Sequence, residues 1–600
     1  MTYFCAKCQR RHNVHEISAD MWSICHSKVK ENIAGLFDEL QNQYDFDGDE
    51  ISDIADGLTA LVNMKETLID VDTPSFRGDA RINAFFSLNY TNIKQLSNVT
   101  RDGLTITGTY TIPLGIMLYL FSKHAAGRGQ NMDEAINKCI PPEWKTKPVY
   151  QEQVVVFFGE NGVLDKVTDV HNVPFSNGED MLGFRHICPH CGRELSRAVG
   201  CAEEIVVALA GSPRAGKSSC MVAMVNSLLE DKCPGVRVVP IPQDRKWSAL
   251  NSEVEHYRQC AKITKTPDNQ TEVPSHSILI QMKDPAKTKR VLTIVDMPGE
   301  LWQAGNGLTS DFFAQYAGIY ENIDCIWFVI SKATIRMSQV GEIPDEIKQD
   351  LILKTSEDVD VIKKANPANL MTNLNMIKSQ LVARLGKPMP PTVVIVSKPD
   401  HFVSEIDKEK THHFRLFPAD TMDIAGYNAG DIVRVLRSDS DRLYGLNQMP
   451  ICAHANDVRS FIEDINPAFL SAVEDNCQDR FYVALSPYGR PAVERGVMAG
   501  APTPYHELYP FVWTLAIMGG VKVYQNCCWL KRGFLGKIVD QEDTREAITF
   551  HYTQRNLPEG PGKQNQQVKD HNIVYGAISN NLLMNGRKYL DRIEIPHVKQ

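Results

Sequence analysis

The sequence predicts an α/β protein with an additional α+β module at its N-terminus, and two patterns lead to this expectation. From residue 203 onward, continuous apolar runs such as residues 205–210, IVVALA, alternate with segments of helical spacing. Such uninterrupted runs are typical of strands buried on both faces of a parallel sheet. Before that point, residues 90–111 and 154–163 are rich in β-branched and aromatic residues, whereas residues 19–41 have helical periodicity. This mixture favours a separate α+β module.

Length and composition indicate several packed domains. The 600 residues are 43% hydrophobic, which is enough for about three or four separate cores. We expect a metal-binding module with an inserted α+β domain at residues 1–200, an α/β domain at 201–520 and a C-terminal extension at 521–600. Residues 401–478 are too long for an ordinary strand–helix connection, so we expect an inserted subdomain there.

The charge balance argues against two classes of partner. The chain has 64 basic and 73 acidic residues and a net charge of -9, which provides no long-range attraction to nucleic acid or to anionic lipid. The longest apolar runs, such as residues 112–121, are too short to span a bilayer, and the start MTYFCAKCQRRH lacks the apolar core of a secretory signal. We therefore expect a cytoplasmic protein without a transmembrane segment.

Two Cys-x-x-Cys pairs predict a metal site. Cys5 with Cys8, and Cys188 with Cys191, each place two thiolates on one tight turn, and two such turns complete a closed tetrahedral zinc site. Their wide separation requires a whole domain between the two zinc-ribbon-like knuckles. Two separate sites, or ordinary reduced thiols, would explain the same pairs. Substitute ligands are available nearby in the sequence: His12, Cys25, His26, His186, His190 and Cys201.

An acidic stretch, DFDGDEISD, raises the question of calcium. Asp45, Asp47 and Asp49 alternate as the ligands of a calcium loop do, but the sixth position of such a loop is glycine and here it is Glu50. A solvated acidic turn that leads into a helix at residues 51–63 is the favoured interpretation.

The stretch LAGSPRAGKSSC predicts a phosphate-binding loop. It contains Gly211, Gly216, Lys217 and Ser218 at the required spacing, after a buried strand and before a helical segment. The glycines let the backbone wrap a phosphate, the helix presents its positive end, the lysine reaches the β- and γ-phosphates and the serine holds Mg²⁺. The residues expected to contact nucleotide here are Gly211, Ser212, Arg214, Ala215, Gly216, Lys217, Ser218 and Ser219.

Polar residues follow three later strands. The run VLTIVD ends in DMPGE, where Asp296 suits Mg²⁺ and the Gly299 N–H suits a γ-phosphate. The run VVIVS ends in SKPD, where Asp400 suits a guanine edge and the stem of Lys398 suits the face of the base. The run FYVAL ends in SPYG, where Ser486 is placed to close over the base. Each of these features alone is also an ordinary turn or cap.

In this order, the four motifs resemble those of the translation-factor-like (TRAFAC) class of P-loop GTPases, which includes small GTPases, dynamins and guanylate-binding proteins. The resemblance covers residues 203–520. It implies a Ras-like doubly wound, mostly parallel P-loop sheet, binding of GTP with Mg²⁺, and switch segments that respond to hydrolysis. With the cysteine knuckles, the chain also loosely resembles zinc-knuckle GTPases of bacterial conflict-system operons.

The base-reading motifs depart from the family pattern at two positions. Ser397 stands where the family usually has Asn or Thr, although its hydroxyl preserves a polar group. Pro487 stands near the position where the family uses a backbone N–H, which proline lacks. The resemblance therefore implies that Ser486 or Tyr488 donates to the base instead.

The region expected near the γ-phosphate also departs from the pattern. Glu300 follows Gly299 where the best-known members place a glutamine that orients the attacking water. A carboxylate there can accept a proton, but it also adds negative charge beside the phosphate. The switch threonine is Thr271 by its position before a strand, with Thr264 and Thr266 as alternatives.

Arg214 occupies the fourth position of the phosphate loop, where guanylate-binding proteins carry an arginine that acts within the same chain. The resemblance implies that its guanidinium neutralises charge developing on the γ-phosphate. Alternatively, Arg214 points to solvent, as residues between loop glycines often do. The catalytic set implied is Lys217, Arg214, Gly299 and Glu300.

The function expected from sequence is a Mg²⁺-dependent GTP-binding and GTP-hydrolysing switch that controls binding of protein partners or self-association, with a structural zinc site. Two alternatives stay open. An ATPase of the same fold would use SKPD only as a turn, and a nucleotide-binding zinc scaffold would bind nucleotide with little turnover.

Overall fold

A computed structural model describes most of the chain. The described residues are 1–44, 48–63, 87–88, 96–159, 164–170, 185–212, 215–233, 236–241, 244–259, 273–282, 289–297, 310–331, 334–335, 367–398, 446–477, 479–489, 501–518, 523–532, 538–548 and 597–598. Predictions that fall outside these residues are those on Asp45 and Asp47, Arg214, Thr264, Thr266 and Thr271, Gly299 and Glu300, and Asp400.

The chain divides into two compact units. The first contains Met1–Glu204 together with Ile241–Asp244, and the second contains Ile205–Pro240 and Arg245–Gln600. Helices and sheets are present in both, which confirms the α/β expectation at the level of class.

In its described residues, the first unit contains two small sheets, a hairpin and four helices. Its strands are β1 (Thr2–Cys5), β2 (Arg10–Asn13), β3 (Ser18–Asp20), β4 (Ser87–Leu88), β5 (Leu96–Asp102), β6 (Thr105–Pro113), β7 (Pro148–Phe158), β8 (Leu164–Asp169), β9 (His186–Ile187) and β10 (Glu194–Leu195). Its helices are α1 (Trp22–Gln43), α2 (Gly48–Asn63), α3 (Leu114–Gly127) and α4 (Asp133–Cys139), with 3₁₀ turns at Val14–Glu16 and Pro142–Thr146.

The core of the first unit lies between a four-stranded sheet and these helices. The sheet has the order β5-β6-β7-β8 with antiparallel neighbours. Strand β6 directs the side chains of Ile106, Tyr110 and Ile112 into the core. Helix residues such as Ile33 and Leu118 belong to the same core. The period-two burial of the strand and the apolar faces of the helices therefore explain this module.

Helix α2 begins at Gly48, three residues before the predicted start.

The second unit is centred on a seven-stranded sheet. Its strands are β11 (Glu203–Gly211), β12 (Val236–Val239), β13 (Ser275–Met282), β14 (Lys289–Asp296), β15 (Cys325–Ser331), β16 (Thr392–Ser397) and β18 (Arg480–Leu485). Its helices are α5 (Lys217–Leu229), α6 (Arg245–Arg258), α7 (Ser310–Asn322), α8 (Pro367–Leu385), α9 (Gln448–Ile465), α10 (Pro467–Asn476) and α11 (Tyr509–Ile517).

This sheet is mixed, with the order β12-β13-β14-β11-β15-β16-β18. Strands β11, β15, β16 and β18 are parallel neighbours in turn, whereas β13 runs antiparallel to both β12 and β14. Parallel neighbours require crossover connections, and the helices between these strands provide them. The four parallel strands are buried along almost their whole length, as their continuous apolar runs predict.

Helix α11 covers the end of this sheet. The rings of Phe481 and Trp513 stack 5.3 Å apart, and Trp327 Nε1 donates to Thr514 Oγ1 at 2.9 Å. The side chains of residues 509–515 are buried, so this part of the helix belongs to the core. A further sheet contains β17 (Leu446–Asn447), β19 (Val523–Arg532), β20 (Ile538–Ile548) and β21 (His597–Val598).

A buried carboxyl at the start of β18 makes the stability of the second unit depend on pH. Burial raises the pKa of Asp479 to about 7, and the charge of Arg480 offsets part of this rise. Because the folded pKa exceeds the unfolded one, the protonated carboxyl stabilises the fold at low pH, and this contribution is lost as pH rises from about 4 to about 7.

We therefore expect Asp479→Asn to stabilise the protein at pH 8 by up to about 4 kcal/mol and to lose more than half of this gain at pH 5. Urea unfolding of variant and parent at both pH values measures the difference. The nearby exposed Asp475 provides the control, since Asp475→Asn should change stability little at either pH. Equal destabilisation by Asp479→Asn at both pH values would contradict the expectation.

Candidate metal centre and candidate phosphate site

The two cysteine knuckles have the same local architecture. Each lies at the turn of an antiparallel hairpin, β1–β2 for the first and β9–β10 for the second. Four residues after the first cysteine, a backbone N–H donates back to that cysteine's carbonyl: Gln9 to Cys5 at 2.7 Å and Gly192 to Cys188 at 3.0 Å. Gln9 and Gly192 both have left-handed φ angles, 56° and 72°. Glycine adopts this conformation without the steric cost that glutamine pays.

The four cysteine sulfurs form one cluster. All four Sγ atoms lie within 4.8 Å of one another. Cys5 Sγ is 3.5 Å from Cys191 Sγ, and Cys8 Sγ is 3.7 Å from Cys188 Sγ, so each close pair joins the two knuckles. Thiolates on one tetrahedral zinc ion stand about 3.8 Å apart, because Zn–S bonds are about 2.3 Å long. The cluster could therefore hold a metal ion such as zinc, and the structure brings together the four cysteines that the sequence singled out.

Hydrogen bonds within the cluster favour the thiolate form of three of the four cysteines. The pKa of Cys8 is lowered to about 5, chiefly because Cys188 donates a hydrogen bond to its sulfur. The same donor lowers the pKa of Cys5 and of Cys191, whereas Cys188 itself has a raised pKa because of its bonds with these sulfurs. Because metal ions bind the deprotonated form, this environment suits metal ligation.

The substitute ligands lie in different places. Among the described residues, the metal-ligand grouping consists of the four cysteines alone. His12 nevertheless points at the cluster, with Nε2 3.4 Å from Cys8 Sγ and 3.3 Å from Cys188 Sγ. His190 is exposed and its Nδ1 lies 3.5 Å from Arg10 Nη1. His186 and Cys201 are outside the cluster, and the side chains of Cys25 and His26 are outside the described part.

Buried polar contacts support the knuckles, and sequence patterns did not indicate them. Tyr3, fully buried, donates to the carbonyl of Ala202 and accepts from the N–H of Gly200. The N–H of Phe4 donates to Glu204 Oε2 at 2.6 Å. These contacts tie the first strand of the chain to the segment that follows the second knuckle.

The phosphate loop connects β11 to helix α5. Gly211 has φ 132°, and a Cβ atom at this position would lie 1.9 Å from the carbonyl oxygen of Val329 on the neighbouring strand. Gly216 caps the helix with a left-handed φ of 82°. The N–H of Ala215 donates to the Ser212 carbonyl at 3.3 Å, which closes a tight turn. Glycine is therefore required at one position by the close approach of a strand and at the other by the backbone conformation.

Polar side chains of the loop and of helix α5 make contacts within this edge of the sheet. Lys217 is buried, and its Nζ donates to the carbonyls of Gly211 and Ser212 at 3.4 and 3.3 Å. Ser218 Oγ donates to Asp296 Oδ2 at 2.7 Å. A serine hydroxyl and a strand-end carboxylate are oxygen ligands of the kind Mg²⁺ prefers. Ser219 follows them in the first turn of the helix.

The ends of two further strands lie in the same unit. Ser397 is fully buried, and its hydroxyl donates to the carbonyl of Ile330 at 3.1 Å, so it fastens β16 to β15. Lys398 has a left-handed φ of 56°, and its Cε lies 3.9 Å from the place of a Cβ on Gly216. The lysine stem therefore lies against the phosphate loop.

Ser486 is held at the end of β18. Its N–H donates to the Tyr505 carbonyl at 3.2 Å, and its hydroxyl accepts from the N–H of Gly489 at 2.9 Å. Tyr488 packs its ring 5.3 Å from that of Tyr257, which donates a hydrogen bond to the carbonyl of Pro487. The backbone N–H of Ser486 is thus committed to a strand-like bridge with Tyr505.

Two residues at this edge of the sheet were not predicted. Thr334, beyond the end of β15, lies between Ser331 Oγ at 2.8 Å and Ser212 Oγ at 3.4 Å, measured to its Oγ1. His276, on β13, shares a face with Asp296, and desolvation lowers its pKa. A short polar residue, or a single histidine within an apolar run, gives no sign in the sequence that it will lie at this edge of the sheet.

The strand order places the loop at a particular point of the sheet. From β11 the chain first builds β12, β13 and β14 on one side, and it then builds β15, β16 and β18 on the other. The order reverses at β11, which is the topological switch point of the sheet. In open α/β sheets, ligands bind outside the carboxyl ends of the strands at this point.

No protein-family model matches the chain, and no curated protein matches it. Within the described part of the chain, no helix has both the length and the apolar character that crossing a membrane requires.

The shared knuckle geometry makes a pair of opposite substitutions informative. Gly192→Ala should destabilise the first unit by about 1 kcal/mol, because alanine resists a left-handed φ, and Gln9→Gly should stabilise it by up to about 1 kcal/mol. Thermal unfolding followed by circular dichroism measures both. As a control, Gly35→Ala in helix α1, where a Cβ meets open space, should stabilise by about 1 kcal/mol. Stabilisation by Gly192→Ala would refute the equivalence of the two turns.

Proposed function

We propose that the protein is a Mg²⁺-dependent GTP-binding and GTP-hydrolysing switch with a structural zinc centre, built on a Ras-like sheet. One observation carries this proposal: a glycine-bounded loop at the switch point of the sheet, with a buried lysine and a serine bonded to a strand-end aspartate. Backbone N–H groups at the start of α5 and the charge of Lys217 suit a polyphosphate.

The arrangement of the strands supports the nucleotide class. If β11, β13, β14, β15, β16 and β18 are counted from one to six, their order is 2-3-1-4-5-6, with the second strand antiparallel to the third. The expected motifs follow the first, third, fifth and sixth of these strands. The contact of the Lys398 stem with Gly216 supports the assignment of SKPD to the base, because it places this motif next to the phosphate loop.

In this proposal, each residue of the nucleotide site has a separate role in GTP binding or hydrolysis. Ser218 and Asp296 would hold Mg²⁺, which would supply charge neutralisation to the β- and γ-phosphates. Lys217 exchanges its carbonyl acceptors for phosphate oxygens, which are stronger acceptors because they are charged. Catalysis of phosphoryl transfer to water then rests on positioning and on charge neutralisation, to which we assign Arg214, Gly299 and Glu300, with Thr271 as the switch threonine.

The zinc centre has a structural part in this proposal. Four thiolates fill a tetrahedral ion and leave no position for a catalytic water. The ion would join Cys5 and Cys8 to Cys188 and Cys191, and it would thereby fix both ends of the first unit. Nucleotide turnover would alter the switch segments and so the binding of protein partners or of further copies of this chain.

The choice of base provides the first test. Fluorescent-nucleotide competition should show GTP displacing the probe at concentrations at least about 100-fold lower than ATP, since Asp400 accepts two hydrogen bonds from guanine. Asp400→Asn should reverse the preference toward xanthine nucleotides, because the amide matches the altered edge. Lys217→Ala serves as a variant that fails to bind any of them. Equal displacement by GTP and ATP, unchanged by Asp400→Asn, would establish an ATPase instead.

Arg214 provides the second test. We expect Arg214→Ala to lower the single-turnover hydrolysis rate of bound GTP by about 10³-fold while changing GTP affinity less than about 10-fold, because an arginine finger acts on charge that develops during transfer. Rapid-quench measurement with saturating enzyme gives the rate, and calorimetry gives the affinity. Weakened affinity with an intact single-turnover rate would exclude the catalytic role. Arg214→Lys should recover only part of the rate, since lysine lacks the forked donor.

A further inference from the structure

The metal centre contains a fifth donor besides the four cysteines. His12 lies on β2 opposite Tyr3, and its imidazole is largely buried. Its Nε2 lies 3.4 Å from Cys8 Sγ and 3.3 Å from Cys188 Sγ, so it contacts one sulfur from each knuckle. These are the two members of one close pair, and Cys5 with Cys191 forms the other.

The distances suit a ligand as well as a hydrogen bond. A nitrogen and a sulfur bound to the same tetrahedral zinc stand about 3.6 Å apart, given bond lengths of about 2.0–2.1 and 2.3 Å. His12 therefore already stands at nearly the separation from Cys8 and Cys188 that a nitrogen ligand of the same ion would have.

We infer that His12 is a reserve ligand, which binds the zinc ion when Cys8 or Cys188 leaves it. In the resting centre, His12 donates its Nε2–H to these sulfurs; after loss of one thiolate, this proton passes to the departing sulfur or to water, and the neutral nitrogen gives an S₃N site in place of S₄. Cys8 is the half-exposed member of its pair and Cys188 the buried one. Cys8 is thus the position at which an electrophile can modify the centre without releasing the metal. The inference stands independently of the nucleotide function.

The test is a set of ligand variants of the full chain, loaded with Zn²⁺ or Co²⁺. Cys8→Ser and Cys188→Ser should each retain one metal ion per chain. With Co²⁺, the thiolate charge-transfer absorption should fall by about a quarter, because three thiolates replace four, and the ligand-field bands should move to higher energy, because imidazole is a stronger-field ligand. Cys5→Ser and Cys191→Ser are the matched controls from the other pair, and their zinc affinity should fall further.

His12→Gln separates ligation from hydrogen bonding. The glutamine amide keeps an N–H donor for the thiolates but is a poor zinc ligand. In the four-cysteine protein, His12→Gln should weaken zinc by less than about 10-fold, whereas in Cys8→Ser it should weaken zinc by about 100-fold or more. Chelator competition measures both affinities. Equal effects of His12→Gln in the two backgrounds, or loss of zinc from Cys8→Ser with His12 present, would overturn the inference.

Alkylation tests the same claim without removing a cysteine by mutation. N-ethylmaleimide forms a C–S bond with a thiolate, and the neighbouring ring carbon takes a proton from water. Protein modified once at Cys8, as located by peptide mapping, should keep its zinc in native mass spectra, and the His12→Gln protein modified at Cys8 should lose it. Cys191 is the other half-exposed thiol of the cluster, and its modification should release zinc in both proteins. Release of zinc on modification of Cys8 in the parent protein would contradict the role of His12.

Discussion

The convergence of four thiols is the constraint on which the first unit depends. Cys5 and Cys8 lie at the start of the chain, and Cys188 and Cys191 lie on the far side of the inserted α+β module, yet all four sulfurs fall within 4.8 Å. Closing a loop of this length costs entropy that grows only slowly with length, and a metal ion bound at the cluster offsets that cost through strong bonds to both ends. Tyr3 and Glu204 reinforce the closure by tying β1 to the segment around residues 200–204. The contacts at the knuckles fix the two ends of the module, and the helices and sheet between them pack around a core of their own.

In the second unit, the corresponding constraint is the close approach of two main chains. Gly211 lies so near the Val329 carbonyl that a side chain would collide with it, so the main chains of β11 and β15 approach closely where the loop begins. The same edge receives Asp296 from β14 and Lys398 from β16, because parallel neighbours end together. The Ser397 hydroxyl donates to the carbonyl of Ile330, and this hydrogen bond joins β16 to β15. Ser397 therefore resembles the base-reading residue of GTPases only in its position, since its hydroxyl is already bonded within the sheet. In our proposal, Lys398 and Asp400 recognise the base.

Sequence patterns predicted the features that are local or that depend on burial. The apolar runs located β11, β14, β16 and β18 to within a few residues, and the spacing of the cysteines identified the four sulfurs that meet. The antiparallel entry of β13 was not predicted, because a buried strand has the same apolar run in either direction. The contact of His12 with two sulfurs was missed for a similar reason. It depends on the pairing of β1 with β2, which turns the imidazole toward the knuckle, and a sequence offers His12 only as one histidine among several candidates.

Both candidate sites hold groups whose burial is costly without a ligand. The buried Lys217 donates to two carbonyls, and burying an ammonium away from water is costly unless such acceptors are available. The clustered thiols likewise repel one another once more than one is ionised, unless a cation lies among them. A bound polyphosphate and a bound metal ion would each remove such a cost, and each would stabilise its unit in proportion to the logarithm of ligand concentration over Kd, by about 2.7 kcal/mol at 100 times Kd. A ligand bound at either site would therefore couple folding to binding in its unit.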